Sequence, residues 1–332
     1  MNGVDRIKVN VAHERWPILG RFAISRGSKS QADVVVVELC AGGHRGRGEC
    51  VPYPRYGETV EGVIAAIEAM APRLASGTVG HRELAQAMPA GAARNALDCA
   101  LWDLEAKRAG TTVAALAGVA PPRPLTTAFT ISLDTPQAMA AAAARAAHYP
   151  LLKVKLGGGD DIARLTAIRR VAPNAELIVD ANEGWTAGTL AENLAACADA
   201  GVTMVEQPLP AADDTMLRGL PRPMRICADE SAHGIESLPL LAGKYDMVNI
   251  KLDKAGGLTA ALALADAARR QGLGIMVGSM VATSLAMAPA FLVAQQAQVV
   301  DLDGPLLLAQ DRPDGMRCEG GLLHPPVPAL WG

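Results

Sequence analysis

LLKVKL (151–156), ELIVDAN (176–182), TMVEQP (203–208), RICADE (225–230) and MVNIKL (247–252) are short apolar runs whose ends carry Lys155, Asp180, Glu206, Asp229 and Lys251. Successive gaps between these five residues are 25, 26, 23 and 22. One strand and one crossover helix occupy about that length, since a βαβ unit takes roughly 30 residues or more. Evenly repeated units of this kind predict an α/β fold with a parallel barrel, whose strand ends converge on one mouth. Three carboxylates bracketed by two lysines then share one cavity. That pattern predicts a metal site with a base on each flank.

Working outward, TTAFTIS (126–132) reads as the first barrel strand, and GIMVGSM (274–280) and VVDLDG (299–304) as the seventh and eighth. Alanine-rich segments such as 138–147 and 258–270 supply crossover helices. Upstream, DVVVVELCAGGHRGRGEC (33–50) alternates about Gly42-Gly43 and predicts a hairpin. LGRFAISRGSKSQA (19–32) is small, polar and basic and reads as a mobile loop; VPYPRYGET (51–59) reads as a second loop. Residues 60–119 carry helical periodicity, with Gly110 a C-cap. The expected organisation is an α+β capping domain over 1–122, a barrel over 123–304, and a tail over 305–332 returning to the cap.

The chain of 332 residues is long enough for both domains. A net charge of -3 offers no field for nucleic acid or an anionic membrane. No apolar run approaches the roughly 18 residues of a bilayer span, and MNGVDRIKVNVAHERW (1–16) has no apolar leader core. Six cysteines (40, 50, 99, 197, 227, 318) show no C-x-x-C, which suits isolated thiols in a reducing cytoplasm. Nothing in the sequence opposes a homo-oligomer. His233 and Gly157–Gly159 read as a surface-loop histidine and a solvent turn.

Three carboxylates without sulfur or imidazole suit a hard divalent cation, best Mg²⁺. A substrate carboxylate held there would have its charge offset. Loss of the adjacent C–H proton then gives an enediolate, and stabilising charge where it develops is the largest catalytic effect in many enzymes. A lysine serves as base when burial and a nearby cation pull its pKa down towards about 7–8. Lys155 and Lys251 lie four strands apart in eight, so a proton removed by one can be replaced by the other. That predicts inversion at carbon.

Lys153–Lys155 (K-V-K), V-D-A-N (179–182), V-E-Q-P (205–208), A-D-E-S (228–231) and N-I-K-L-D-K-A-G-G (249–257) together resemble the enolase superfamily, muconate-cycloisomerase subgroup, and within it the dipeptide epimerases. The likeness spans nearly the whole chain. It implies a (β/α)7β TIM-like barrel capped by an α+β domain. By position it makes Asp180, Glu206 and Asp229 ligands of one Mg²⁺, Lys155 and Lys251 the acid/base pair, and Asn182 and Glu230 their supports. Lys153 would sit near the substrate carboxylate and keep Lys155 neutral. Asp301 and Asp303, the D-x-D of the eighth strand, would hold a free ammonium. Arg26 would pair with the acidic side chain of an alanyl-glutamate, with Lys29 a competing cation. Thr130, Ser279 and Met280 would line the pocket, and Tyr53 or Tyr56 would close over it. The implied reaction interconverts L-Ala-D-Glu and L-Ala-L-Glu, a small dipeptide substrate of murein recycling. Alternatives are an epimerase of other dipeptides, or a cycloisomerase or o-succinylbenzoate synthase, whose substrates carry no ammonium.

Overall fold

A computed structural model describes residues 6–332; the first five residues of the stretch read for a leader lie outside them. Strands β1 (Lys8–Ile24), β2 (Gly27–Ala41) and β3 (His44–Cys50) form an antiparallel sheet. From Ala32 onward strand β2 is buried on both faces. Val35, Val37 and Leu39 point into the core shared with the cap helices, while Ala32, Val34 and Val36 join the barrel's core. Period-2 alternation thus glues the cap to the barrel through one strand. The segment 19–32, expected as a mobile loop, is instead the outer half of this hairpin: Phe22 pairs with Lys29 and Ile24 with Gly27, after a register irregularity between Pro17 and Phe22. Its polar residues face solvent and the cavity, so no apolar alternation marks the strands.

Helices α1 (Val60–Ala75), α2 (His81–Ala87), α3 (Ala92–Ala109) and α4 (Val113–Leu116) complete the cap. Helix α1 starts where the Thr59 hydroxyl accepts the Gly62 N–H, and buries Val63, Ile67, Met70 and Leu74 along one face. Helix α3 lies directly on β3: a Cβ added to Gly46 or Gly48 would come within 2.3 Å of Ala100 O or 2.1 Å of Ala96 O. It ends at Gly110, φ 62°, as expected.

A two-residue strand β4 (Leu125–Thr126) precedes the eight parallel barrel strands: β5 (Phe129–Ile131), β6 (Leu151–Lys155), β7 (Glu176–Asp180), β8 (Val202–Glu206), β9 (Arg225–Ala228), β10 (Met247–Ile250), β11 (Gly274–Gly278) and β12 (Val299–Asp301). They are ordered sequentially, and the Ala128 N–H closes the ring on Val300 O at 2.8 Å. Crossovers carry α5 (Pro136–Arg145), α6 (Asp161–Val171), α7 (Leu190–Asp199), α8 (Leu238–Leu241), α9 (Leu252–Ala255), α10 (Leu258–Arg270) and α11 (Ser284–Ala294). Between β8 and β9 there are only two single 3₁₀ turns; Pro208, Pro210, Pro221 and Pro223 leave no room for a longer helix. The run 126–132 is divided, because β4 pairs with β14 (Leu322–Leu323) of the tail, itself paired with β13 (Cys318–Glu319). Beyond it the Trp331 indole N–H donates to Cys99 O at 3.0 Å and the Gly332 N–H to Asp103 Oδ1 at 2.7 Å, both on α3.

The barrel interior is layered. Leu151, Ile178, Met204, Cys227, Met247 and Met276 form an apolar floor. Two residues further along the same strands come Lys153, Asp180, Glu206, Asp229 and Asn249, all buried. A second interface locks α3 to α10. His81 lies between Asp98 (2.7 Å) and Glu105 (3.3 Å), stacked on Trp102, and Asp98 accepts both N–H and hydroxyl of Thr259. Burial opposes the imidazolium, but the two carboxylates outweigh it and push its pKa up to about 9 from 6.5. A raised folded pKa stabilises fully below 6.5, and the contribution disappears as pH rises through about 9. Urea unfolding at pH 6 and pH 9.5 should therefore show a loss of about 1–3 kcal/mol that is absent from His81→Gln. Equal pH dependence of the two proteins contradicts it.

Candidate active site

Asp180, Glu206 and Asp229 stand at the C-terminal ends of β7, β8 and β9 because each follows a floor residue by two positions. Asp180 pairs in register with Glu206 on one side and Lys155 on the other. Lys153 Nζ lies 2.7 Å from Asp301 Oδ2, 2.7 Å from Glu206 Oε2 and 3.2 Å from Asp180 Oδ2. One ammonium therefore spans three carboxylates. Lys155 Nζ contacts Asp180 Oδ2 at 2.7 Å, and Lys251 Nζ contacts Asp229 Oδ2 at 2.7 Å from the opposite wall. Among the described residues, no three acidic, imidazole or thiol groups are spaced to grip one ion as they stand; amines lie between the carboxylates.

These charges are unequally satisfied. Burial and repulsion from Asp180 push Glu206 up to about 7, against the pull of Lys153. Its Oε1 accepts the Asn249 amide at 2.7 Å, but Oε2 is buried with no aligned hydrogen bond. Burial would raise Asp229, yet Lys251 and Lys254 hold it well below the carboxylate range. Burial would likewise lower Lys251, but Asp229 and Glu206 hold it well above the lysine range. The sequence led to the opposite direction, a lysine pulled down. In these surroundings the neighbouring carboxylates set the sign.

The cavity above this layer holds about 770 Å³ and is lined by residues of both cap and barrel. Lys153, Lys155, Lys251, Thr130, Ser279, Met280, Asp301, Asp303 and Arg26 all face it, as do Tyr53 and Tyr56. Thr130 donates its backbone N–H to Asp303 Oδ2 at 2.6 Å, and the Ser279 hydroxyl reaches Asp301 O at 3.4 Å. Asp301 Oδ1 is buried without a partner. Burial and its neighbour Asp301 push Asp303 up to about 7. The 770 Å³ space thus combines apolar walls with convergent charged groups, the form expected of a small-molecule site.

Residues 137–328 match the family described as enolase C-terminal domain-like, and residues 6–118 match the mandelate racemase/muconate lactonizing enzyme N-terminal domain. The chain belongs to the enolase superfamily. It is 50% identical over 318 residues to the L-Ala-D/L-Glu epimerase of Escherichia coli K12, covering 95% of this chain and 99% of the relative. It is 46% identical to the N-acetyl-D-glutamate racemase of a Pseudoalteromonas species, covering 90% and 95%. A solved enolase family member from Agrobacterium tumefaciens, with bound sodium and L-Ala-L-Glu, superposes with a TM-score of 0.97 at 52% identity, covering 98% of this chain and all of that one.

In this superfamily member the cap hairpin is seated by glycines. A Cβ on Gly157 would lie 2.5 Å from Ser25 Cβ, and one on Gly184 3.1 Å from it. Gly157, read as part of a solvent turn, is a saddle for the hairpin tip. There the Ser25 hydroxyl and Arg26 guanidinium both donate to Asn182 O, at 2.8 and 2.6 Å. Arg26 also pairs with Glu230 at 2.6 Å and Glu183 at 3.1 Å, so its charge is already met within the protein. His233, expected on a surface loop, is half-buried with its ring 4.8 Å from that of Tyr56.

Two supports escaped the sequence reading. Lys254 donates to Asp229 Oδ1 (2.6 Å), Asp229 O (2.6 Å) and Asn249 O (3.2 Å); its spacing of three from Lys251, one helical turn, was the available signal. Gln207, φ 34°, accepts the N–H groups of Asp229 and Ser231 and donates to Leu209 O, Ser231 Oγ and Tyr245 Oη. Removing one partner of a buried pair costs about 3–5 kcal/mol. Because Lys251 still neutralises Asp229, Lys254→Met should lower unfolding free energy in urea by about 2–4 kcal/mol. A change below about 0.5 kcal/mol would show that the contact is incidental.

Proposed function

We propose that the protein is a Mg²⁺-dependent dipeptide epimerase that interconverts L-Ala-D-Glu and L-Ala-L-Glu by two-base proton transfer. The observation that carries this reading is the placement of Lys155 at the end of β6 and Lys251 just past the end of β10, facing each other across one cavity above a carboxylate layer. Two amines on opposite faces of one carbon are what inversion requires.

The donor set fits the cation. Asp180, Glu206 and Asp229 are hard oxygen donors at the ends of adjacent strands. Glu206 Oε2 is met by the Lys153 ammonium at 2.7 Å without an aligned hydrogen bond. Burial together with repulsion from Asp180 raises Glu206, which a divalent charge would offset. Mg²⁺ held by these three residues would supply the positive charge that acidifies the carbon next to a bound carboxylate. With the substrate in place, the amine of Lys155 or Lys251 takes the α-proton from one face. The C–H electron pair passes into the carboxylate as an enediolate, and the ammonium on the other face returns a proton with inversion. Lys251, 2.7 Å from Asp229 on the wall opposite Lys155, stands where a proton can be returned in one direction. Lys153, caged by Asp180, Glu206 and Asp301, compensates charge within the layer and takes no proton. Asp301 Oδ1 and Asp303 offer acceptors for the dipeptide's ammonium, and Thr130, Ser279 and Met280 shape the wall beside them. This orphaned oxygen is the feature that favours a dipeptide over an N-acylated glutamate. A place in murein-peptide recycling follows from that substrate.

Lys155→Ala and Lys251→Ala should each lose about 10²–10⁴-fold in epimerisation, followed by NMR in D₂O, with one of them still exchanging the α-proton of a single epimer. Full activity in either variant ends the two-base scheme. For Asp303, the carboxylate is present above about pH 7 and lost below. KM for L-Ala-L-Glu should therefore rise as pH falls through about 7, and Asp303→Asn should raise it about tenfold or more at pH 8. KM for N-acetyl-glutamate should change little in either comparison; parallel changes for the two substrates rule against an ammonium site.

A further inference from the structure

The two amines of the proposed proton transfer are carried by backbone of different kinds. Lys155 is the last residue of β6 and pairs in register with Asp180, so the barrel ladder places it. Lys251 lies beyond the last pair of its own ladder, Ile250 with Val277, in extended backbone (φ -117°, ψ 129°). Its carbonyl accepts the N–H groups of Lys254 and Ala255, both at 3.0 Å, and so starts α9, a single turn ended by Gly256 at φ 83°. One isolated turn does not hold itself together. The cap holds it, through helix α3. The Asn95 amide donates to Asp253 Oδ1 at 2.8 Å, and the Arg94 guanidinium donates to Ala255 O at 2.7 Å and Gly256 O at 3.0 Å. Asn95 Oδ1 accepts the Cys99 thiol at 3.2 Å, which leaves its Nδ2 aimed at Asp253. The approach is close: a Cβ on Gly256 would overlap Arg94, and one on Gly257 would lie 2.5 Å from Asp98 Cβ. Asp253 Oδ1 also accepts the Val51 N–H at 3.2 Å, where the segment 51–59 leaves β3 to carry Tyr53 and Tyr56 over the cavity. Burial first, then Glu58 and Glu49, push the Asp253 carboxyl up to about 7 against the hydrogen bonds from Asn95 and Val51. Among the described residues no cation pairs with it, so hydrogen-bond geometry is what this carboxyl supplies.

We propose that Asp253 and Asn95 are positioning residues for Lys251: their hydrogen bond passes the grip of cap helix α3 to the turn that aims this one amine, while Lys155 does not depend on it. The inference rests on the two-base reading of the site. A reacting group misplaced by about 1 Å can cost about 10²-fold in rate. Loosening the brace therefore slows proton removal on the Lys251 face of the substrate and spares the face served by Lys155. A residue with a purely structural role would weaken both faces together.

The test follows initial α-proton exchange of L-Ala-L-Glu and of L-Ala-D-Glu by NMR in D₂O, with the intact protein and Mg²⁺. Overall epimerisation cannot separate the faces, because the equilibrium constant fixes the ratio of kcat/KM in the two directions. The epimer whose exchange Lys251→Ala abolishes marks the Lys251 face. Asp253→Ala and Asn95→Ala should each lower exchange of that epimer about 10- to 100-fold relative to the other. Asp253→Asn keeps an oxygen acceptor for both donors and should hold the ratio within about threefold. Both rates scale with the folded fraction, so partial unfolding cancels from the ratio. Asn95→Ala leaves the Val51 contact in place and carries the test if Asp253→Ala does not fold. Equal losses on the two faces, an unmoved ratio, or a ratio moved as far by Asp253→Asn as by Asp253→Ala overturns the assignment. Failure of wild type to exchange either epimer, or loss of both exchanges in each lysine variant, removes the two-base reading itself.

Discussion

Six carboxyls and four amines are buried at one end of the barrel, and their mutual neutralisation is the constraint on which the site depends. Asp180, Glu206, Asp229, Glu230, Asp301 and Asp303 face Lys153, Lys155, Lys251 and Lys254. An uncompensated buried charge is far more costly than a surface one. Each amine therefore contacts at least one carboxylate, and Arg26 reaches in from the cap to meet Glu230. The acidic surplus shows where burial and a neighbouring carboxylate outweigh the amines: Glu206 and Asp303 are both pushed up to about 7. A divalent cation beside the first and an ammonium beside the second are complementary to that surplus.

The apolar floor makes this arrangement affordable. Leu151, Ile178, Met204, Cys227, Met247 and Met276 exclude water from below, so charges two residues higher interact in a medium where attraction and repulsion are both strong. The same period of two that builds the floor aims the charged layer. A shift of one residue in any strand would exchange an inward charged side chain for one facing the helices. The cap closes the other side, since β2 buries one face in each core.

Much of this could be read directly from the sequence. An inward carboxylate two residues after an apolar floor residue leaves a run ending in Asp or Glu, and strand-plus-helix spacing fixes which runs belong to one ring. Asp301, two residues after Val299, was legible for the same reason, and Asp303 by its spacing of two from Asp301. The hairpin over 19–32 was not, because strands with one face to water and the other to a polar cavity carry no hydrophobic alternation. The missing helix between β8 and β9 was visible only as four prolines. Lys254 and Gln207 act through contacts to backbone and to other side chains, which leave no composition signal; pairing of Arg26 with Glu230 and Glu183 joins residues over 150 positions apart.

Asn182 gives the seating of the hairpin a wider meaning. Its carbonyl receives Ser25 and Arg26 from the cap, while its own N–H holds Asp180 Oδ1 at 2.9 Å. One peptide segment thus reports on the tip and on the carboxylate layer together. By thermodynamic reciprocity, any help that a cation bound in that layer would give to seating the tip would be returned as tighter retention of the cation.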